Sequence, residues 1–133
     1  MPDLRALVET YNAAWNSDDW EPALKALHHP EGEILSPEGW PEPGTFAGWP
    51  AIAEQYRRLK GSWAEERIES RSVEQAGGLA LTSNRWLCRG ETSGVEVEVD
   101  IWAVTEFRGE LVWRIQYFLD EGDARTAVEE ADR

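Results

Sequence analysis

LALTSNRWLCRGETSGVEVEVDIWAVTEFRGELVWRIQYFL, the stretch from Leu79 to Leu119, is written with a period of two. Successive side chains of a strand point to opposite faces, so this alternation predicts sheet. Gly90-Glu91-Thr92-Ser93-Gly94 and Arg108-Gly109 cut it into Leu79–Arg89, Val95–Phe107 and Leu111–Leu119. Upstream, Gly77-Gly78 turns the chain back onto a further candidate, Glu66–Gln75. Short glycine-bearing turns join neighbouring strands as antiparallel hairpins, so four strands make a meander.

Turn length sets register, and register decides which residues share a face. A two-residue turn at Arg108-Gly109 pairs Phe107 with Glu110, Ala103 with Arg114 and Ile101 with Gln116. A four-residue loop at Gly90–Ser93 pairs Trp86 with Val97 and Asn84 with Val99. One face then carries Thr82, Asn84, Trp86, Val97, Val99, Ile101, Ala103, Thr105, Val112, Arg114, Gln116 and Phe118. The other carries Trp102, Val104, Trp113, Ile115 and Tyr117 in one block. The first face is assigned to the helices and a pocket. The second is too apolar for open water on a monomer and is read as a homodimer interface, with burial under a C-terminal helix as the alternative.

The N-terminal half changes period. Leu4, Leu7, Val8, Tyr11, Ala14 and Trp15 form one apolar helical stripe, with Pro2 suited to a first turn. Asn16-Ser17-Asp18 stops that helix, and Asp18 with Glu21 reads as the capping box of a second, carrying Trp20, Ala23, Leu24 and Leu27. His28-His29-Pro30 ends it, and Glu33–Ser36 is a short strand candidate. Pro37 to Pro50 holds four prolines, three glycines, Trp40 and Trp49, and reads as a lid over a pocket. A third helix carries Ile52, Tyr56, Leu59 and Trp63, and a weak one over Gly122–Ala131 closes the chain. The order αα-β-α-ββββ places helices on one face of an antiparallel sheet, an α+β layout in one domain spanning 1–133.

Composition narrows the function. Of 133 residues, 26 are acidic and 13 basic, a net charge of -13 that repels nucleic acid and anionic membranes. Eight tryptophans are many for this length, and suit cores, interfaces and pockets for flat organic molecules. The single cysteine, Cys88, excludes an internal disulfide framework. With no apolar leader or membrane-length run, a cytoplasmic protein is expected. No phosphate loop or serine-hydrolase elbow indicates a cofactor or covalent acyl chemistry, and His28 and His29 lack metal-ligand spacing.

Four strings carry a family resemblance: Tyr11-Asn12-Ala13-Ala14-Trp15-Asn16-Ser17-Asp18, Gly48-Trp49-Pro50-Ala51-Ile52-Ala53-Glu54-Gln55-Tyr56, Ser93-Gly94-Val95-Glu96-Val97-Glu98 and Phe107-Arg108-Gly109-Glu110-Leu111. In order and spacing they resemble the SnoaL-like branch of the nuclear-transport-factor-two superfamily, over roughly Leu4 to Val128. The resemblance implies a cone-like curved sheet with three helices on its concave face around an internal pocket. It also implies a choice among isomerases, hydrolases, cyclases, dehydratases and plain binding proteins.

Against ketosteroid isomerase, Tyr11 stands at the oxyanion tyrosine, Tyr56 at a second tyrosine and His28 at a third aromatic. The general base falls at Ser36 and the oxyanion acid at Ala103, so a base and a donor are missing. The epoxide-hydrolase acids and arginine fall near Asn84, Trp86 and Gln116, with Arg114 one inward position away, and are also missing. A cyclase acid is lacking on the inward faces, unless a bulge turns Asp100 or Glu69 inward.

The expected site therefore has Tyr11, Tyr56 and His28 as candidate catalytic groups. Trp15, Trp40, Trp86 and Phe118 are its walls, and Ser36, Asn84, Ala103, Arg114 and Gln116 complete it. The two tyrosines either bond each other as buried hydroxyls must, or donate to an oxyanion with His28 shuttling a proton. Arg114 either grips a ligand or pairs with a glutamate of the Glu66–Gln75 strand. Three functions stay open: a homodimeric, cofactor-free acid-base enzyme acting on a small apolar or aromatic oxygenated molecule, a non-catalytic carrier or sensor of such a molecule, and a structural dimerisation module.

Overall fold

A computed structural model describes residues 3–40 and 42–131, so Pro2 and Pro41 lie outside the described residues. The elements run α1 (Leu4–Trp15), α2 (Trp20–Leu27), β1 (His28–Ser36), β2 (Gly44–Ala47), α3 (Trp49–Gly61), β3 (Glu65–Ala76), β4 (Leu79–Arg89), β5 (Glu96–Arg108), β6 (Leu111–Phe118) and α4 (Glu121–Ala131). Their chemistry is local. Asp3 caps α1 by accepting from the amides of Arg5 and Ala6, and Leu4, Val8, Tyr11 and Trp15 form its buried stripe. Asp19, not Asp18, precedes α2, and its side chain makes no capping bond. Trp63 falls beyond the end of α3.

The six strands form one sheet in the order β2-β1-β6-β5-β4-β3. The meander β3-β4-β5-β6 is antiparallel, as its short turns require. Two features differ from the sequence reading. The expected lid contains a strand, β2, hairpinned to β1, so only its first part is loop and Trp49 opens α3. β1 lies parallel to β6, because the chain between them is long enough to cross over, and the sheet is mixed. The helices α1, α2 and α3 pack on one face, and α4 on the other against β4, β5 and β6.

β6 corrects the facing of the last strand. Phe107 pairs with Val112, but Glu106 pairs with Arg114, so Trp113 is an extra residue. Such a bulge bends the strand and inverts the facing of everything beyond it. β1 approaches here so closely that a Cβ on Gly32 would lie 2.8 Å from the Trp113 carbonyl oxygen. Ile115 and Tyr117 therefore point inward and join the main core, whereas Arg114, Gln116 and Phe118 do not. Across β4 and β5 the register differs from expectation by two residues, Trp86 meeting Val99 and Asn84 meeting Ile101. An even shift preserves faces.

The expected dimer patch is divided by the same bulge. Ile115 and Tyr117 are inside, while Trp102, Val104 and Phe118 pack with Leu81 and Ala124 beneath α4. Trp113 remains outside, with the Arg108 guanidinium 3.4 Å from its ring centroid and His29 against its edge. Among the described residues, no helix is long and apolar enough to cross a membrane.

Candidate functional site

The site lies between α1, α3 and the inner face of the sheet, where a cavity of about 50 Å³ remains. A buried water occupies about 10–15 Å³ on this measure, so the space suits a few waters or one small molecule. Tyr11, Trp15, Ser36, Trp40, Tyr56, Asn84, Trp86 and Ala103, all expected at the site, line it. Thr82, expected on the inward face, lines it too, as do Asn12, Ile115 and Tyr117, which were not expected there. Arg114 is turned away and pairs at 3.2 Å with Glu33 of β1, not with a glutamate of β3. Gln116 and Phe118 are outside for the reason given by the bulge.

Three tyrosines of the lining join His28 in a chain of four side chains, and His28 itself, expected at the site, stands behind Tyr11 and does not line the cavity. The Tyr11 hydroxyl lies 2.8 Å from His28 Nε2 and 2.9 Å from the Tyr56 hydroxyl. Tyr56 in turn lies 2.9 Å from Tyr117. Helical stripes deliver Tyr11 and Tyr56, the first residue of β1 delivers His28, and the bulge delivers Tyr117. Burial raises the Tyr11 and Tyr56 phenols well above the ordinary value of 10.0, and pushes Tyr117 up to about 12. All three are therefore hydroxyls at neutral pH. Burial also lowers His28 from 6.5 to about 4, so its imidazole is neutral. Among the described residues its Nδ1 is buried without a hydrogen-bond partner, and its ring rests on Trp49.

The carboxylates are elsewhere. Asp100 is exposed and bonded to Arg71 at 3.1 Å, and Glu69 pairs with Arg67 outside. The inward carboxylate is Glu66, missed because β3 reads as a polar strand. It stands behind the wall, where its Oε1 accepts from the indoles of Trp15 at 2.6 Å and Trp86 at 3.0 Å. Lys60 Nζ donates to the other oxygen at 2.9 Å and to the Trp15 carbonyl at 2.6 Å. Both charged side chains are about one-tenth exposed, so this pair is effectively buried. Trp86 also stacks on Trp40, the indole of the loop that follows β1. Glu66 thus fixes two walls of the cavity without lining it.

Among the described residues, no charged side chain lines the cavity, and no cluster of His, Cys, Asp and Glu is placed to hold a metal ion. Burial raises the Cys88 thiol to about 12, which makes it a packing residue and no nucleophile. Chemically, the arrangement offers phenolic donors, amide and hydroxyl groups, and indole walls.

No curated protein matches the chain. Solved structures do, with the same fold at low identity. One is a nuclear-transport-factor-two-like protein of unknown function from Burkholderia pseudomallei K96243, at a TM-score of 0.78 and 16% identity, covering 96% of this chain and 98% of that one. A second is TerC, co-crystallised with polyporic acid, at 0.76 and 17%, covering 94% and 97%. A third is a hypothetical protein with a ketosteroid-isomerase-like fold from Catenulispora acidiphila DSM 44928, in complex with trimethylamine, at 0.74 and 17%, covering 84% and 83%. The SnoaL-like domain family matches residues 8–115, from within α1 to the middle of β6. The chain belongs to the SnoaL-like domain family.

Proposed function

We propose that this protein binds a small, uncharged, largely apolar molecule bearing an oxygen acceptor, and that it does so without turning the molecule over. The observation that carries this is a cavity lined by indoles, aliphatic groups and phenol hydroxyls, with no charged side chain among the described residues. Tyr117 is the expected donor. If His28 Nε2–H donates to Tyr11, then Tyr11 donates to Tyr56 and Tyr56 to Tyr117, leaving the Tyr117 hydroxyl proton for the ligand. The reverse direction would leave an N–H at Nδ1 buried with no acceptor, the costlier orphan. Solved relatives held with polyporic acid and with trimethylamine support a pocket that takes small molecules in this fold. The patch on which a homodimer was expected is divided by the fold, so binding is proposed of the single chain.

One observation favours the enzymatic reading, namely the hydroxyl chain itself, which has the donors of an oxyanion site. What it lacks is a base at the cavity. His28 is neutral but spent on Tyr11, and Glu66 is capped by two indoles and an ammonium group.

Cyclohexanone is a suitable probe. Its titration should shift the indole N–H resonances of Trp15, Trp40 and Trp86, and Tyr117→Phe should weaken it about fivefold, the worth of one neutral hydrogen bond. No shift with cyclohexanone, or an affinity indifferent to Tyr117→Phe, sinks the reading. The same sample in deuterated water separates the two functions. Exchange of the ketone's α-protons above the buffer rate, lost in Tyr11→Phe, would establish the enzyme in place of the carrier.

A further inference from the structure

Thr82 stands on the cavity floor two strands away from Tyr117. It pairs with Ala103, and Ala103 pairs with Tyr117, so the three inward side chains form one row across β4, β5 and β6. At the usual strand spacing the row is about 10 Å long between its outer Cα atoms. Its middle member is alanine, whose single methyl leaves the row hollow between two hydroxyl-bearing ends. Ser36 continues the row, because Ile34 pairs with Ile115 and Leu35 with Gln116. Ser36 and Tyr117 thus share one end, and Thr82 holds the other.

The Thr82 end is polar and incompletely satisfied. Thr82 is 2% exposed, and its Oγ1 is buried with no hydrogen-bond partner among the described residues. Asn84, two positions along the same face and 3% exposed, accepts from Asn12 Nδ2 at 3.4 Å. That distance is at the long limit of a hydrogen bond, so the amide pair is readily diverted to a better partner. Buried hydroxyls in folded proteins are almost always satisfied, so an unpartnered one on a residue that lines a cavity calls for a partner.

We infer that the ligand carries two oxygen functions at opposite ends, a carbonyl taken by Tyr117 and a second oxygen taken by the Thr82 hydroxyl and the Asn84 amide. This rests on the binding function proposed above and narrows it to small neutral dioxygenated molecules such as diketones and hydroxyketones. Neutrality follows from the lining: among the described residues, neither end has a charged group to compensate an ion. Ala103 sets the gap between the ends, since a larger side chain there would fill the middle of the row.

The test compares calorimetric affinities of cyclohexanone and 1,4-cyclohexanedione for the full chain. The dione should bind about tenfold tighter. Thr82→Val should reduce that ratio to about two, the Asn84 amide remaining, and Thr82→Ser should keep it near ten. Because the Thr82 hydroxyl has no partner to lose, Thr82→Val should melt no lower than the parent chain, which separates lost recognition from lost folding. Equal affinity for the two probes in the parent chain, or a ratio that survives Thr82→Val, overturns the two-ended ligand and leaves the pocket reading intact. Failure of both probes to bind overturns both.

Discussion

His28 is the residue at which burial and protonation are most tightly linked. It is 3% exposed, touches Tyr11 through one nitrogen and packs its ring against Trp49, and among the described residues no carboxylate favours the cation. Its pKa therefore falls from 6.5 to about 4 through desolvation alone. The folded chain binds this proton less well than the unfolded chain, so stability is full above pH 6.5 and is lost as pH drops toward 4. A gap of that size corresponds to about 3 kcal/mol. His28→Gln keeps a polar partner for Tyr11 and removes the titration. Urea midpoints measured from pH 7 to 4 should fall less steeply in this variant than in the parent. Equal slopes would mean that His28 is already accessible to its proton in the folded state.

Four elements meet at Glu66 and Lys60: α1 through Trp15, α3 through Lys60, β3 through Glu66 itself and β4 through Trp86. Most other ion pairs of this acidic chain join side chains roughly half exposed, and such pairs contribute little. This one differs because both partners are about one-tenth exposed. Glu66→Gln should cost about 3 kcal/mol by stranding the Lys60 ammonium, and adding Lys60→Met should recover most of it. Additive losses in urea unfolding would show that the two residues act independently. Sequence alone could not expose this cluster, since Glu66 and Lys60 each read as surface residues of a polar strand and a helix end. The meander and all four of its strands were legible within a residue at each end, because alternation and glycine turns are local signals. The facing of β6 was not, because one bulged residue inverts it. Its trace is in the composition: strict alternation buries Arg114 and Gln116, whereas an extra residue at Trp113 brings Val112, Ile115 and Tyr117 onto one apolar face. Tyr11, Tyr56 and His28 came together as expected because helix period and the helix-to-strand junction set their directions. Tyr117 was lost with its strand.

Taken as a whole molecule, the chain sets two electrical barriers before an anion. The net charge of -13 creates a repulsive field outside, and the cavity within has no cation among its described lining residues. They differ in range. The outer field is screened beyond about 8 Å at physiological ionic strength, so it governs approach and weakens in salt. The inner barrier is the desolvation of an unpaired charge, which salt in bulk water does not relieve. Cyclohexanecarboxamide and cyclohexanecarboxylate share a shape and differ in charge, so they separate the two. The carboxamide should bind, and the carboxylate should bind at least about a hundredfold more weakly, with most of that gap persisting in 0.5 M sodium chloride, a concentration chosen so that the Debye length falls to about 4 Å. A gap that closes in salt would assign selectivity to the surface field. No gap at all would mean that the anion finds a cation the closed cavity does not present, and Lys60, behind the Trp15 wall, would be the group to replace first.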